Sequence, residues 1–221
     1  MATEIRPVAE PVFERVQLDE HSWVDVCRGW LDNADALYES LRTDVAWQTS
    51  RLFRYDHWVE ERRLGSMWSY GRPLPHPALA EVHKTIQRRY KVEFRSFGLM
   101  HYRDGRDGQA FHRDTDMKWL DDTLIPILTL GAARPWYLRP WAAKFQGADE
   151  RPGKGATHDL QPGNGDLIVM GGRAQADWQH SVPYLTRQRV EPRISLQWRW
   201  TSRRGKPFAG GSYGAPLTYS R

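Results

Sequence analysis

From Phe94 to Trp200 the chain is written largely in short β-type runs divided by turn residues: FRSFGLMHY, TLIPILTL, WYLRP, DLIVM and RISLQWRW. Short strands of this kind cannot bury their apolar faces singly, so they close on one another as a sandwich or jelly roll. Ahead of them two helical patterns are legible. Residues 34–43 (ADALYESLRT) read as a short helix approached through Asp32 and Asn33, both good capping types. Residues 77–89 read as a second helix, with Pro77 suited to a first turn and Leu79, Val82 and Ile86 on one face. The expected class is mainly β with flanking helices packed on one face of the strands.

A chain of 221 residues with 40% hydrophobic content can build one core. Residues 1–20, rich in Pro and Glu, read as an N-terminal arm, 21–203 as the domain, and 204–221 as a flexible basic tail. The stretch from Trp141 to Thr157 reads as an exposed loop within a hairpin. Cys27 is the one cysteine, which excludes an internal disulfide and a cysteine-cluster metal site. Any metal is therefore expected on His and carboxylate ligands. A net charge of +5 and a pI near 9.4 suit a polyanionic partner. Eleven Trp exceed what a core of this size needs, so some suit stacking on flat ligands. No apolar stretch is long enough for a bilayer and no apolar run follows a basic start, so the chain reads as cytoplasmic and membrane-free; a monomer is expected.

His112 and Asp114 stand two apart in AFHRDTD. On an extended strand, such residues point to the same side and can share one ion. His180, in ADWQHSVP, supplies a distal third donor. Two His and one carboxylate make the facial triad of non-haem iron(II) oxygenases, with positions left for oxygen and a co-substrate. Taken alone, the pattern equally describes an exposed strand His and a packed one. His21, His57, His76, His83 and His158 have no such partners and read as structural.

The last run alternates strictly. Ile194, Leu196, Trp198 and Trp200 face one layer, and Arg193, Ser195, Gln197 and Arg199 the other. Two guanidinium groups and a hydroxyl on one inner face make an anion site suited to a dicarboxylate. A solvated polar face is the alternative. HxD, a distal His and RxSxxxR, in that order on β-type segments, form a specific combination.

These residues resemble the AlkB family of nucleic-acid dioxygenases, and most of all its eukaryotic-type members that repair single-stranded nucleic acid. The likeness runs from about Trp68 to Trp200 and is carried by HYRDGRDGQAFHRDTD, DLIVMGGRAQADWQHSVP and EPRISLQWR. The resemblance implies a double-stranded β-helix (jelly roll) core and a reaction that needs Fe(II), 2-oxoglutarate and O2. It implies His112, Asp114 and His180 as metal ligands and catalytic centre. It implies Arg193 as partner of the distal carboxylate of 2-oxoglutarate, helped by Tyr102, with Ser195 alongside. Arg199 would lie by the other end of the co-substrate or support Asp116. Asp116 would read the exocyclic amine of adenine or cytosine, and Tyr70, with Trp68 as second candidate, would stack on the extruded base. The implied activity is oxidative demethylation of bases such as 1-methyladenine and 3-methylcytosine in DNA or RNA, with release of formaldehyde.

Two positions depart from the family pattern. Met100 and Ser195 stand where the family usually has Asn, and both lost amides would ordinarily hydrogen-bond the co-substrate. Ser195 can still donate one hydrogen bond and Met100 none, so weaker co-substrate affinity is expected. Two other readings fit the same residues: a hydroxylase of a small molecule or protein side chain, and a non-catalytic nucleic-acid-binding module. The complete triad speaks against the second.

Overall fold

The computed structural model describes residues 4–54, 57–141 and 157–208. In chain order the elements are β1 (Arg6–Pro7), β2 (Glu14–Gln17), β3 (Ser22–Cys27), β4 (Leu31–Asp32), α1 (Ala34–Asp44), β5 (Gln48–Arg54), β6 (His57–Ser69) and α2 (Leu79–Tyr90). Then follow β7 (Ser96–Tyr102), β8 (Gln109–His112), a 3-10 turn at Thr115–Met117, β9 (Thr123–Gly131), β10 (Tyr137–Pro140) and β11 (His158–Asp159). The described chain ends with β12 (Leu167–Gly172), α3 (Ala174–Asp177), β13 (Trp178–Val182), β14 (Arg193–Trp198) and β15 (Trp200–Thr201). No helix among the described residues is long and apolar enough to cross a membrane.

The strands form two antiparallel sheets and a small separate pair, β1 with β4. The larger sheet runs β2-β3-β12-β9-β14-β7-β6-β5, with β15 beside β9; the smaller runs β11-β10-β13-β8. Two-residue periodicity explains the layering. Leu167 and Val169 of β12 and Ile194, Leu196 and Trp198 of β14 pack toward Leu37 and Leu41 of α1 and Val82 and Ile86 of α2. Ile168 and Met170 of β12 and Ile125 and Ile127 of β9 pack instead against Leu138 of β10 and Trp178 and Val182 of β13. The larger sheet is thus buried on both faces, helices on one side and the small sheet on the other. That is the expected mainly β jelly roll, and the functional residues line the space between its two sheets.

Both expected helices form, the first starting at Ala34 as expected but without the expected side-chain cap, the second starting two residues later than expected. Asn33 enters α1 in the left-handed conformation, φ 54°, with no side-chain cap. Its amide donates instead to the Glu4 carbonyl at 2.8 Å, tying down the N-terminal segment. The second helix begins at Leu79, after Pro77, and buries Leu79, Val82 and Ile86 on the expected face. Within the first twenty residues, β2 pairs with β3 and β1 with β4, so the described part of that stretch is woven into the sheets. The expected loop after Trp141 and most of the basic tail lie outside the described residues.

The long β5–β6 hairpin carried no strand signal in the sequence. Its segments QTSRLFR and HWVEERRLGSMWS are heavily charged and lack apolar alternation. It extends the edge of the sheet, where charged residues guard an open strand from pairing with other chains.

The break between β14 and β15 matters for the site. On β9, the ladder with β14 ends at Ile127 and that with β15 starts at Leu124. Pro126, which has no N–H to give, stands between the two ladders. In this register Trp198 stands opposite Pro126, and Arg199, the next residue, lies between the two strands.

Candidate active site

The small sheet sets His112 of β8 directly opposite His180 of β13. Their ring centres are 4.2 Å apart, and Trp136 stacks on His180 at 5.6 Å. Asp114 does not share the strand with His112, as alternation had predicted. The strand ends at His112, and Asp114, with φ −81° and ψ 70°, leads into the 3-10 turn. The turn brings the carboxylate back toward the imidazoles. Its Oδ1 is 3.7 Å from His112 Nε2 and its Oδ2 is 3.9 Å from His180 Nε2. One donor atom from each of the three residues lies within 4.8 Å of the other two.

The protonation states suit a cation. Burial works to raise the Asp114 carboxyl, but the Arg199 guanidinium, His180 and His112 outweigh it and hold the group well below the usual carboxylate range. Burial, then the neighbouring His112, push the His180 imidazole down to about 3 against the pull of Asp114. Burial lowers His112 in the same way, again with Asp114 opposing. At neutral pH the set is two neutral imidazoles and one carboxylate, the forms a metal ion takes. His112 Nδ1 sits 2.9 Å from the Ala110 carbonyl, which places its proton there and leaves the Nε2 lone pair for an ion. Arg199 Nη2 donates to Asp114 Oδ1 at 2.9 Å, while the buried Asp114 Oδ2 has no hydrogen-bond partner. Two nitrogens and one oxygen, with one orphaned carboxylate atom among them, fit iron(II).

Beside this cluster is a buried cationic pocket. Arg193 is 1% exposed, and its Nε and Nη1 have no hydrogen-bond partner. Burial pushes its guanidinium down to about 10, so it is still charged at neutral pH. It pairs in register with Tyr102 of β7. The Arg193, Arg134 and Arg63 guanidinium groups stand 5.5, 5.6 and 5.8 Å from the centre of the Tyr102 ring. The Tyr102 hydroxyl accepts a hydrogen bond from Arg63 Nη1 at 3.0 Å, so its own proton is available to an acceptor. Ser195 is buried on the same face and in register with Met100, and its hydroxyl accepts a 3.4 Å hydrogen bond from Gln197 Nε2. A buried charge with empty donors costs several kcal/mol unless something anionic offsets it. An anionic acceptor would offset it.

No protein-family model matches the chain. Curated proteins do match, two of them as follows. The "Alpha-ketoglutarate-dependent dioxygenase alkB homolog 3" of Bos taurus is 30% identical over 191 residues, 80% of this chain and 66% of the relative. Its namesake in Mus musculus is 30% identical over 192 residues, covering 80% and 65%. The chain belongs to the AlkB family. It spans about two thirds of the length of these relatives. Solved structures share the fold. "The structure of OsALKBH1" is matched with TM-score 0.54 at 11% identity, over 85% of this chain and all of the other. A prolyl hydroxylase from Trichoplax adhaerens, solved with a hypoxia inducible factor peptide, is matched with TM-score 0.55 at 10% identity, over 80% of this chain and 83% of that one.

As a member of a family of iron(II)- and 2-oxoglutarate-dependent dioxygenases, the chain has its two expected constellations side by side between the sheets. The remaining sequence-derived residues distribute unevenly in this AlkB-family structure. Arg199 contacts the metal-binding candidate Asp114 itself. Asp116 lies in the 3-10 turn, so the alternation that had aimed it at the metal does not apply, and its side chain lies outside the described residues. Trp68 is 8% exposed, stacked on Phe97 at 5.0 Å, and its indole donates to the Arg72 carbonyl. It is a core residue rather than an open stacking face. Tyr70, one residue past β6, is 79% exposed. Sequence reasoning missed Arg63, Arg134 and Gln175. All three are polar residues outside any periodic motif, and only the fold carries them to the site.

Proposed function

We propose that this chain is an oxidative dealkylase that removes small N-alkyl groups from bases of DNA or RNA, with release of formaldehyde from N-methyl lesions. The observation that carries this reading is the buried Arg193 guanidinium with empty donors, set beside a three-ligand cluster in an AlkB-family fold. His112, Asp114 and His180 would hold iron(II). The hydrogen bond from Arg199 occupies Asp114 Oδ1 and leaves Oδ2 for the ion. Arg193 would take the distal carboxylate of 2-oxoglutarate through parallel hydrogen bonds, and Tyr102 and Ser195 would add hydroxyl donors. When bound, iron and 2-oxoglutarate supply the oxygen-dependent chemistry that hydroxylates an N-alkyl carbon, after which the carbon leaves as an aldehyde.

The protein supplies binding, orientation and exclusion of water. Trp136 shields His180, and the larger sheet closes the pocket behind Arg193. Tyr70, exposed at the surface, would stack on an extruded base, and Asp116 would accept from its exocyclic amine. Met100, with no donor, stands in register with Ser195 and makes the co-substrate site more dependent on Arg193. A net charge of +5 favours a polyanionic substrate, and the family likeness favours single strands. We further place the enzyme in the cytoplasm as a monomer. The decisive test offers single-stranded DNA and RNA oligonucleotides carrying 1-methyladenine or 3-methylcytosine, with Fe(II), 2-oxoglutarate and oxygen. Mass spectrometry should show the methyl group lost, with formaldehyde formed in equal amount. Steady conversion of 2-oxoglutarate to succinate with every oligonucleotide unchanged would refute the nucleic-acid substrate and leave a dioxygenase of another substrate class.

A further inference from the structure

Two of the three metal-binding candidates are positioned by a β-ladder: His112 and His180 face each other across β8 and β13. Asp114 has no such support. It follows the end of β8 in a non-strand conformation, and its N–H is not part of any ladder. That N–H is nevertheless satisfied. It donates to the side-chain oxygen Oε1 of Gln175 at 2.7 Å. Gln175 is fully buried in α3, and its Nε2 donates to the Met170 thioether at 3.5 Å, which fixes which end of the amide faces Asp114. A second bond runs between the same two segments, from Arg113 Nη1 to the Ala176 carbonyl at 2.8 Å. The short helix α3 continues directly into β13, which carries His180 five residues after Gln175.

We propose that Gln175 is a positioning residue for the metal site: its amide latches the Asp114 backbone to the element that bears His180 and so sets the separation of carboxylate and imidazole. The proposal rests on the reading of His112, Asp114 and His180 as a metal site. The physical need is specific to Asp114. The ladder holds the two His with paired backbone bonds, whereas the turn after β8 offers the carboxylate-bearing residue no backbone acceptor. A neutral amide meets that need without adding a charge beside a buried carboxylate. Groups that orient metal ligands in this way typically contribute 10- to 100-fold in metal affinity.

The test measures Mn(II) binding to the metal-free full chain, by electron paramagnetic resonance titration, well below the melting temperature. The wild type should bind one Mn(II), and His180→Ala should not. Failure of the wild type to bind would overturn the metal-site reading itself. Gln175→Met, which keeps the length of the side chain but has no strong acceptor, should bind Mn(II) about tenfold or more weakly while fully folded. A folded Gln175→Met chain with wild-type affinity would overturn the latch, even if its melting temperature had dropped, because a merely structural role moves stability and not affinity. If Gln175→Met does not fold, hydrogen exchange on the metal-free wild type decides. Protection of the Asp114 amide at the level of the β8 amides supports the latch, and exchange at the rate of an exposed turn overturns it.

Discussion

Arg193→Met separates the two roles a buried arginine can have. Arg193 is 1% exposed, two of its nitrogens are unpartnered, and no carboxylate pairs with it among the described residues. Burial holds its guanidinium down to about 10, below its ordinary value. At neutral pH that difference corresponds to about 3 kcal/mol by which folding disfavours the charge. Bound 2-oxoglutarate reverses the sign. A charge-assisted hydrogen bond contributes about 1.5–3 kcal/mol, so loss of a parallel pair should weaken co-substrate binding by about 100-fold or more. Methionine fills much of the same volume without the charge. The variant free of ligand should therefore melt at the same temperature as the wild type or several degrees higher, while the Michaelis constant for 2-oxoglutarate rises about two orders of magnitude. Arg193→Lys should recover only part of that loss, because an ammonium cannot form the parallel pair. The assay pairs calorimetry of the ligand-free chain with succinate formation against 2-oxoglutarate concentration. A melting temperature several degrees lower, together with a Michaelis constant changed less than about threefold, would refute the reasoning and make Arg193 a structural residue.

Other perturbations reach other parts of the site. His180→Ala should remove iron binding and turnover yet leave the fold intact, since β13 keeps its ladders with β10 and β8; stoichiometric iron in the purified variant, with full activity, would be incompatible with the metal assignment. Tyr70→Ala should leave the melting temperature unchanged, the ring being 79% exposed, but weaken binding of methylated oligonucleotide by about 1–3 kcal/mol. Trp68→Ala should do the reverse, losing about 3–5 kcal/mol of stability from its core position; equal effects of the two substitutions in both assays would contradict the division of roles. His83 Nδ1 accepts from the Trp198 indole at 2.9 Å, and burial lowers its pKa. A depressed imidazole binds its proton more weakly folded than unfolded, so stability is present above the ordinary value of about 6.5 and lost as pH falls below it. His83→Gln should flatten that slope in melting temperature against pH, and an unchanged slope would count against His83 as its source.

Several features of this protein were legible in residue order because they depend on local chemistry. The alternation of Arg193, Ser195 and Gln197 against Ile194, Leu196 and Trp198 follows from the two-residue period of a strand, and in the fold the two sets do face opposite layers. Leu79, Val82 and Ile86 made a helical stripe for the same reason, with a different period. The triad residue types announced their chemistry because two imidazoles and a carboxylate suit few other purposes when grouped. The β5–β6 hairpin was not legible, since charged edge strands carry no apolar alternation to read.

The sequence by itself therefore determined the class of fold, the three grouped donor residues and the polar face of the strand that carries Arg193. Only the tertiary structure decided how they meet. It replaced the expected strand geometry at Asp114 with a turn, paired Arg199 with that carboxylate, and brought Gln175 against its backbone. It also sorted Trp68 into the core and Tyr70 onto the surface, although the two stand two residues apart. The physical reason is one of range. Periodicity and residue chemistry act over a few neighbours, whereas the partners of Asp114 lie 61 and 85 residues away along the chain, at Gln175 and Arg199. Such contacts exist only after two sheets have closed on each other, and no local pattern records them.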